Sequence, residues 1–459
     1  MSIVQIHLGR FRRPADSERF AFGEGRGRLR GYFAALRAAV PRRIGGTGTG
    51  VLVGASLLAL VFFPACRPAP AKPALGFDTY APRTIGRPVE GQPWITDLGV
   101  VDLDGDGLKD IVACDGRLNQ VVWLRQTSRG VFAERDIGGQ VAGPAHVEFA
   151  DMNGDGRIDV LVASMGVITP SNLRTGAVVV LVNEGDGNFT SRVLLDKVAR
   201  VTYVGAADFN RDGRPDLVVG EFGYLQGEIR WLENRGDWQF ESHPLLDLPG
   251  TIHAPAADLD GDGHADIAAL VAQDAEEVHF FRGDGQGGFR DRVLWGSTNK
   301  DYGSSGLSLG DLNGDGRPDL LVTNGDGFDY ATPGSRPWHG VQWLENQGAG
   351  KFVFHRVGDF PGCYSPVAAD LDGDGDADLV ATSGFNDWSK REAVSLMAFE
   401  NLGGGRFEPR PLAHAPTHLI VVKAADLYND GHLQLVTGAF VFYPPHDRAS
   451  RITLWERKP

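Results

Sequence analysis

Six stretches of this chain repeat a nine-residue frame with oxygen-bearing side chains at positions one, three, five and nine and glycine at six. They carry Asp102, Asp104, Asp106 and Asp110; Asp151, Asn153, Asp155 and Asp159; Asp208, Asn210, Asp212 and Asp216. The later three carry Asp258, Asp260, Asp262 and Asp266; Asp311, Asn313, Asp315 and Asp319; Asp370, Asp372, Asp374 and Asp378. Position seven, held by Leu108, Arg157, Arg214, His264, Arg317 and Asp376, can add a main-chain carbonyl. An all-oxygen shell at this spacing suits Ca2+, like the first part of an EF-hand loop, whereas Mg2+ prefers fewer protein ligands and keeps its waters. Simple Asp-Gly turns need no fixed nine-residue frame. The frame therefore predicts about six Ca2+ sites, and because each loop fills its own shell the ions are read as structural. In a seventh frame, 426–434, Tyr428 and Gln434 replace two oxygen ligands, so hydrogen bonds are expected to hold that loop.

The first aspartates lie 49, 57, 50, 53, 59 and 56 residues apart, a period that points to a repeat architecture. Small or apolar runs flank most frames, and an aromatic strand, a turn and a Phe-led strand follow, as in VQWLENQGAGKFVFHRV. Sixty-two glycines among 459 residues fit many tight turns. Four short strands per unit are the pattern of a propeller blade, so the expected fold is all-β: a seven-bladed β-propeller of four-stranded antiparallel blades. The seventh unit stops at its third strand, ITLWER, while Tyr80–Ile85 matches the spacing of a fourth strand, Phe132–Ile137. Residues 80–85 are thus predicted to complete the last blade and leave no free edge.

These loops, with their WLEN-type third strands, resemble the FG-GAP/VCBS repeat family, which includes the calcium-binding blades of the integrin α-subunit propeller. The resemblance spans about 380 of the 459 residues. Some propellers of this kind resemble polysaccharide lyases or sugar dehydratases, in which a His or Tyr shuttles protons.

Two faces follow from the topology. One carries the acidic loops; the other carries the longer strand two–three loops, with aromatic residues such as Trp338 and Trp388. Five residues before each first aspartate, near the channel mouth, stand Asp97, His146, Tyr203, His253, Gly306, Ser365 and Val421, flanked by Tyr364 and His418. These form a candidate ligand face, since loops on a rigid scaffold commonly carry function. They can equally cap the channel or pack between blades. No nucleophile motif, phosphate loop or zinc spacing appears, and the net charge of −14 argues against general nucleic-acid binding. Cys114 and Cys363 fall on distant blades, too far apart for a ready disulfide.

Residues 1–43 are basic, 44–66 are uncharged up to Cys66, and 67–78 form a Pro/Ala tether before a propeller at 79–459. The basic and apolar segments read as a secretory signal, and Cys66 resembles the lipidated cysteine of bacterial lipoproteins. An uncleaved membrane anchor or soluble secretion are the alternatives, and all three export the propeller. The leading functional reading is a binding or adhesion module for a glycan or protein. The alternatives are an enzyme using His146, Tyr203 and His253 for acid–base work, and a structural envelope component.

Overall fold

The computed structural model describes residues 80–88, 91–328, 330 and 333–458. The N-terminal segments at 1–43, 44–66 and 67–78, with Cys66, lie outside the described residues. Seven antiparallel sheets follow one another along the chain, and no helix occurs among the described residues. Each of the first six blades takes its four strands from one repeat, as in Ile95–Val101, Asp110–Asp115, Gln120–Ser128 and Val131–Gln140; in the fourth the first strand is broken into Thr251–His253 and Ala256–Ala257. In the seventh, Leu419–Ala425, Gln434–Ala439 and Ile452–Arg457 are completed by Tyr80–Ile85. Tyr80 opposes Arg457 and Ile85 opposes Ile452, so the predicted strand, residues 80–85, closes the ring.

The second strand of every blade, six residues long, is buried at all six positions. It lies inside its sheet and is packed on both faces, which explains its unbroken apolar run. Seven apolar clusters fill the seven gaps between neighbouring blades, and burial there is the main driving force. Each acidic loop joins this packing. Its second residue (Leu103, Met152, Phe209, Leu259, Leu312, Leu371 or Leu427) plugs the gap to the following blade.

The asparagine ending the WLEN strand ties the same gap with hydrogen bonds. Asn346 Nδ2 donates to the Pro318 carbonyl of its own loop at 2.9 Å and to the Leu259 carbonyl of the preceding blade at 2.8 Å. Asn183 and Asn401 repeat the arrangement towards Leu103 and Leu312, and Gln126 reaches Leu427 across the closure. Asn346→Ala removes the donor to a buried carbonyl and to a half-buried one, and is expected to cost about 1–3 kcal/mol in urea unfolding. An unchanged midpoint would show that the bridge is incidental.

Candidate functional site

Two constellations come out of this scaffold, on opposite ends of the inner strands. The first is the set of acidic loops. In the three with aspartate at position three, ligand-type oxygens of Asp102, Asp104 and Asp110, of Asp258, Asp260 and Asp262, and of Asp370, Asp372 and Asp374 lie within 4.8 Å of one another. Position one organises each turn: Asp151 Oδ1 accepts from the amides of Gly154 and Asp155, and Oδ2 from Gly156. The glycine at position six takes positive φ, as at Gly107 with +87°, a conformation that disfavours a side chain.

Position nine does more than face the loop. Asp110 is fully buried; its Oδ2 accepts from Leu103 N at 3.2 Å and its Oδ1 from Gln126 N at 2.7 Å. The same pair of bonds recurs at Asp159, Asp216, Asp266, Asp319 and Asp378. A carboxylate has about four acceptor positions, so room remains at each for a cation. Burial pushes the carboxyls of Asp110, Asp216, Asp266 and Asp319 up to about 6 and that of Asp378 up to about 7. A cation beside them favours the ionised form. Asp102 Oδ1 is buried without a hydrogen-bond partner, which fits a place for a metal bond. The donors are all oxygen, the set a hard cation takes.

Arginines neutralise the outer carboxylates. Arg157, Arg214 and Arg317, at position seven of their loops, pair with Asp155, Asp212 and Asp315. Their Nε atoms donate to the carbonyls of Asn183, Asn234 and Asn346, placing the loops beside the ends of the third strands as the topology requires. The seventh loop differs. Gln434 Oε1 accepts from Leu427 N at 2.8 Å, standing in for the position-nine carboxylate, and Tyr428 Oη donates to Glu456 at 2.6 Å. Arg129 of blade one lies over the Tyr428 ring at 4.3 Å and reaches Asp430 at 2.5 Å. Hydrogen bonds and this cation hold the loop.

The second constellation is the central cavity, about 660 Å³, lined by the first strands of all seven blades and by strand two–three loops. All seven residues five places before the first aspartates line it, and so does Tyr364; His418, Trp338 and Trp388 do not. The reason for the ring is a β-bulge in every first strand. In blades one to five and seven the pairing resumes at Asp97, His146, Tyr203, His253, Gly306 and Val421. In blade six the irregularity spans Ser365 and Pro366. Bulges re-aim side chains, and here they turn them into the channel.

Within the ring, His146 Nδ1 donates to Asp97 Oδ2 at 2.7 Å, and Lys423 Nζ lies 3.5 Å from Asp97 Oδ1. Burial alone would raise the Asp97 carboxyl, but Lys423 and His146 hold it well below the usual carboxylate range. His146 stacks on Tyr203 at 4.2 Å, and Tyr203 meets His253 edge-on at 5.8 Å. Burial pushes His253 down to about 3 and the Tyr203 phenol well up.

Trp388 is buried, its Nε1 donating to the Gly384 carbonyl at 3.3 Å and its ring 5.3 Å from buried His418. These two pack inside the loop layer rather than facing a ligand. Trp338 is half-buried and donates to the Asp301 carbonyl at 2.9 Å. The exposed apolar side chains on this side include Leu118, Leu173, Tyr224 and Leu225, which loop composition alone did not single out. Cys114 and Cys363 are free and buried.

Burial also pushes His339 down to about 4, and its Nδ1 accepts from Arg336 N and Gly362 N at 3.2 Å. The unfolded chain protonates this ring near 6.5 and the folded chain only near 4, so its contribution is full above pH 6.5 and is lost as pH falls towards 4. In urea titrations at pH 7 and 4.5, the wild type is expected to lose about 1–2 kcal/mol more than His339→Asn, whose amide oxygen keeps the acceptor. Equal losses would remove His339 from the acid response.

A closed seven-bladed propeller with acidic strand one–two loops and an open central cavity defines the class. A family model described as FG-GAP-like repeat matches residues 102–162, 167–219, 258–322 and 323–381, just over half the chain, and the protein belongs to that family. Integrin alpha-PS3 of Drosophila melanogaster is 29% identical over 150 residues, 29% of this chain and 13% of the relative. Phosphatidylinositol-glycan-specific phospholipase D of Dictyostelium discoideum is 27% identical over 155 residues, 26% of this chain and 16% of that protein. The chain therefore spans less than a fifth of the length of these curated relatives. A solved structure of an Agrocybe aegerita lectin, described for specific recognition of non-reducing terminal N-acetylglucosamine, aligns with a TM-score of 0.46 at 22% identity, covering 70% of this chain and 81% of that one.

Proposed function

We propose that this protein is an exported, calcium-stabilised propeller that binds a glycan or protein ligand through the face opposite the acidic loops. The carrying observation is the central cavity: a concave site of the size small ligands use, with convergent polar groups and an aromatic wall. Exposed Leu173, Tyr224 and Leu225 extend that face with apolar surface, and Leu225 N donates to Asn172 Oδ1, tying the loops of blades two and three together. Relatives named as integrin α-chains support a binding role. Export and a lipid tether rest on the basic and apolar N-terminal segments and on Cys66.

In this reading each acidic loop holds one Ca2+ through positions one, three, five and nine, with a position-seven carbonyl. The ion supplies charge neutralisation and loop rigidity, leaving recognition to the opposite face.

One observation favours an enzyme as the second reading. The Asp97–His146 pair has the arrangement of a carboxylate orienting a general base, and Tyr203 lies against it. A screen of glycans and envelope polysaccharides with Ca2+, each hit assayed for new reducing or unsaturated ends, separates the two. Binding without turnover, weakened at least tenfold in Tyr224→Ala, supports the module. Product formation abolished by His146→Ala makes it an enzyme.

A further inference from the structure

The inner bulges bring Asp97 and His146 of adjacent blades together and fix which atom of the imidazole is left over. Asp97 takes the Nδ1 proton at 2.7 Å, while Lys423 at 3.5 Å and Val147 N at 3.2 Å complete its surroundings. His146 Nε2 is then an acceptor, and it is buried without a hydrogen-bond partner on a residue that lines the cavity. Buried polar atoms in folded proteins nearly always find a partner, so an unpaired one at a cavity wall points to a donor supplied from outside. For the neutral imidazole that donor is a hydroxyl or an N–H, not a carboxylate.

The rest of the wall narrows the class. Phe149, Phe222, Phe328, Phe385 and Phe440 offer apolar faces, and Tyr203 backs the imidazole. Among lining residues, the acids Asp97, Glu148 and Asp326 outnumber the bases Lys423 and Arg200, which disfavours an anionic ligand. The volume, about 660 Å³, falls within the range of small-ligand pockets, about 300–1,000 Å³.

We infer that the central cavity is a binding site for a neutral hydroxylated ring, such as the end residue of an uncharged glycan, which enters from the loop-rich face and donates a hydroxyl to His146 Nε2. Its apolar ring face lies against the aromatic wall, and Asp97 acts as a positioning residue that keeps the acceptor tautomer. This site rests on the binding-module reading and makes it specific: recognition is end-on and in the channel rather than along the rim.

The test is calorimetric titration of the full chain with methyl glycosides: neutral hexosides, a glucuronide and a glucosaminide. At least one neutral glycoside is expected to bind, with affinity about tenfold lower in His146→Ala, as for loss of one good hydrogen bond. In wild-type protein, the His146 ring nitrogen resonance should shift on saturation, a readout that needs no variant. Tighter binding of the charged glycosides, or an unmoved His146 resonance, overturns the inference. If no neutral glycoside binds while a polymer hit weakened by Leu225→Ala, an exposed residue outside the cavity lining, persists, the cavity proposal falls and the binding module stands. If the polymer screen is also empty, both fall.

Discussion

Removing divalent cations with EGTA is expected to lower the thermal midpoint of the protein by about 5–10 °C. Extracellular modules bind Ca2+ with dissociation constants of about 10⁻⁴–10⁻³ M. At about 2 mM Ca2+, each such site then stabilises the folded state by about 0.6–1.8 kcal/mol. Six sites give about 4–10 kcal/mol, and the unfolding entropy of a chain this long converts that into the stated shift. The effect reaches beyond the loops because their second residues plug the gaps between blades. Without the ion, the clustered carboxylates of Asp102, Asp104 and Asp110 repel within 4.8 Å, and the whole interface feels it. Asp102→Ala should remove about a sixth of the response. Asp430→Ala, in the loop held by Arg129 and Gln434, should leave it unchanged. A midpoint indifferent to EGTA would falsify the six-site reading.

How much of this was legible in the sequence depended on the range over which each feature is encoded. The acidic loops are local, so their frame is complete within nine residues. The closure by Tyr80–Ile85 was legible because a missing fourth strand at one end and a spare one at the other share a spacing. The ring was found by position but not by cause: a bulge exists only relative to the strand it pairs with. The pairing of Asp97 with His146 joins adjacent blades, 49 residues apart, and no local pattern announces it. The asparagine of WLEN stood in plain view as part of a strand motif, but its second acceptor, such as Leu259 O for Asn346, belongs to the preceding blade. Trp388 shows the opposite failure. A loop tryptophan between charged residues reads as exposed, and only tertiary packing against His418 buries it.

The ring closure holds the other large effect. Arg451, one residue before the strand that receives Tyr80–Ile85, is buried and reaches into blade one, 3.1 Å from Asp115 and 2.7 Å from Glu134. Asp115 is fully buried and Glu134 nearly so. Arg451→Leu would strand both carboxylates away from water with no counter-charge, a loss of about 3–5 kcal/mol for a broken buried pair. The site is also the weakest kind of joint in a ring. Other neighbouring blades are joined by a continuous chain, whereas Tyr80–Ile85 is held in the seventh sheet by pairing with Ile452–Arg457. The variant should therefore open there first. Amide hydrogen exchange is expected to quicken in 80–85 and 452–457 before it changes in the other blades, with a thermal midpoint lower by about 4–6 °C. Arg451→Lys keeps a charge but cannot fork to both acids, so it should fall between the two. Uniform exchange across all seven blades would mean that the ring unfolds as one unit and that the seam has no special weakness.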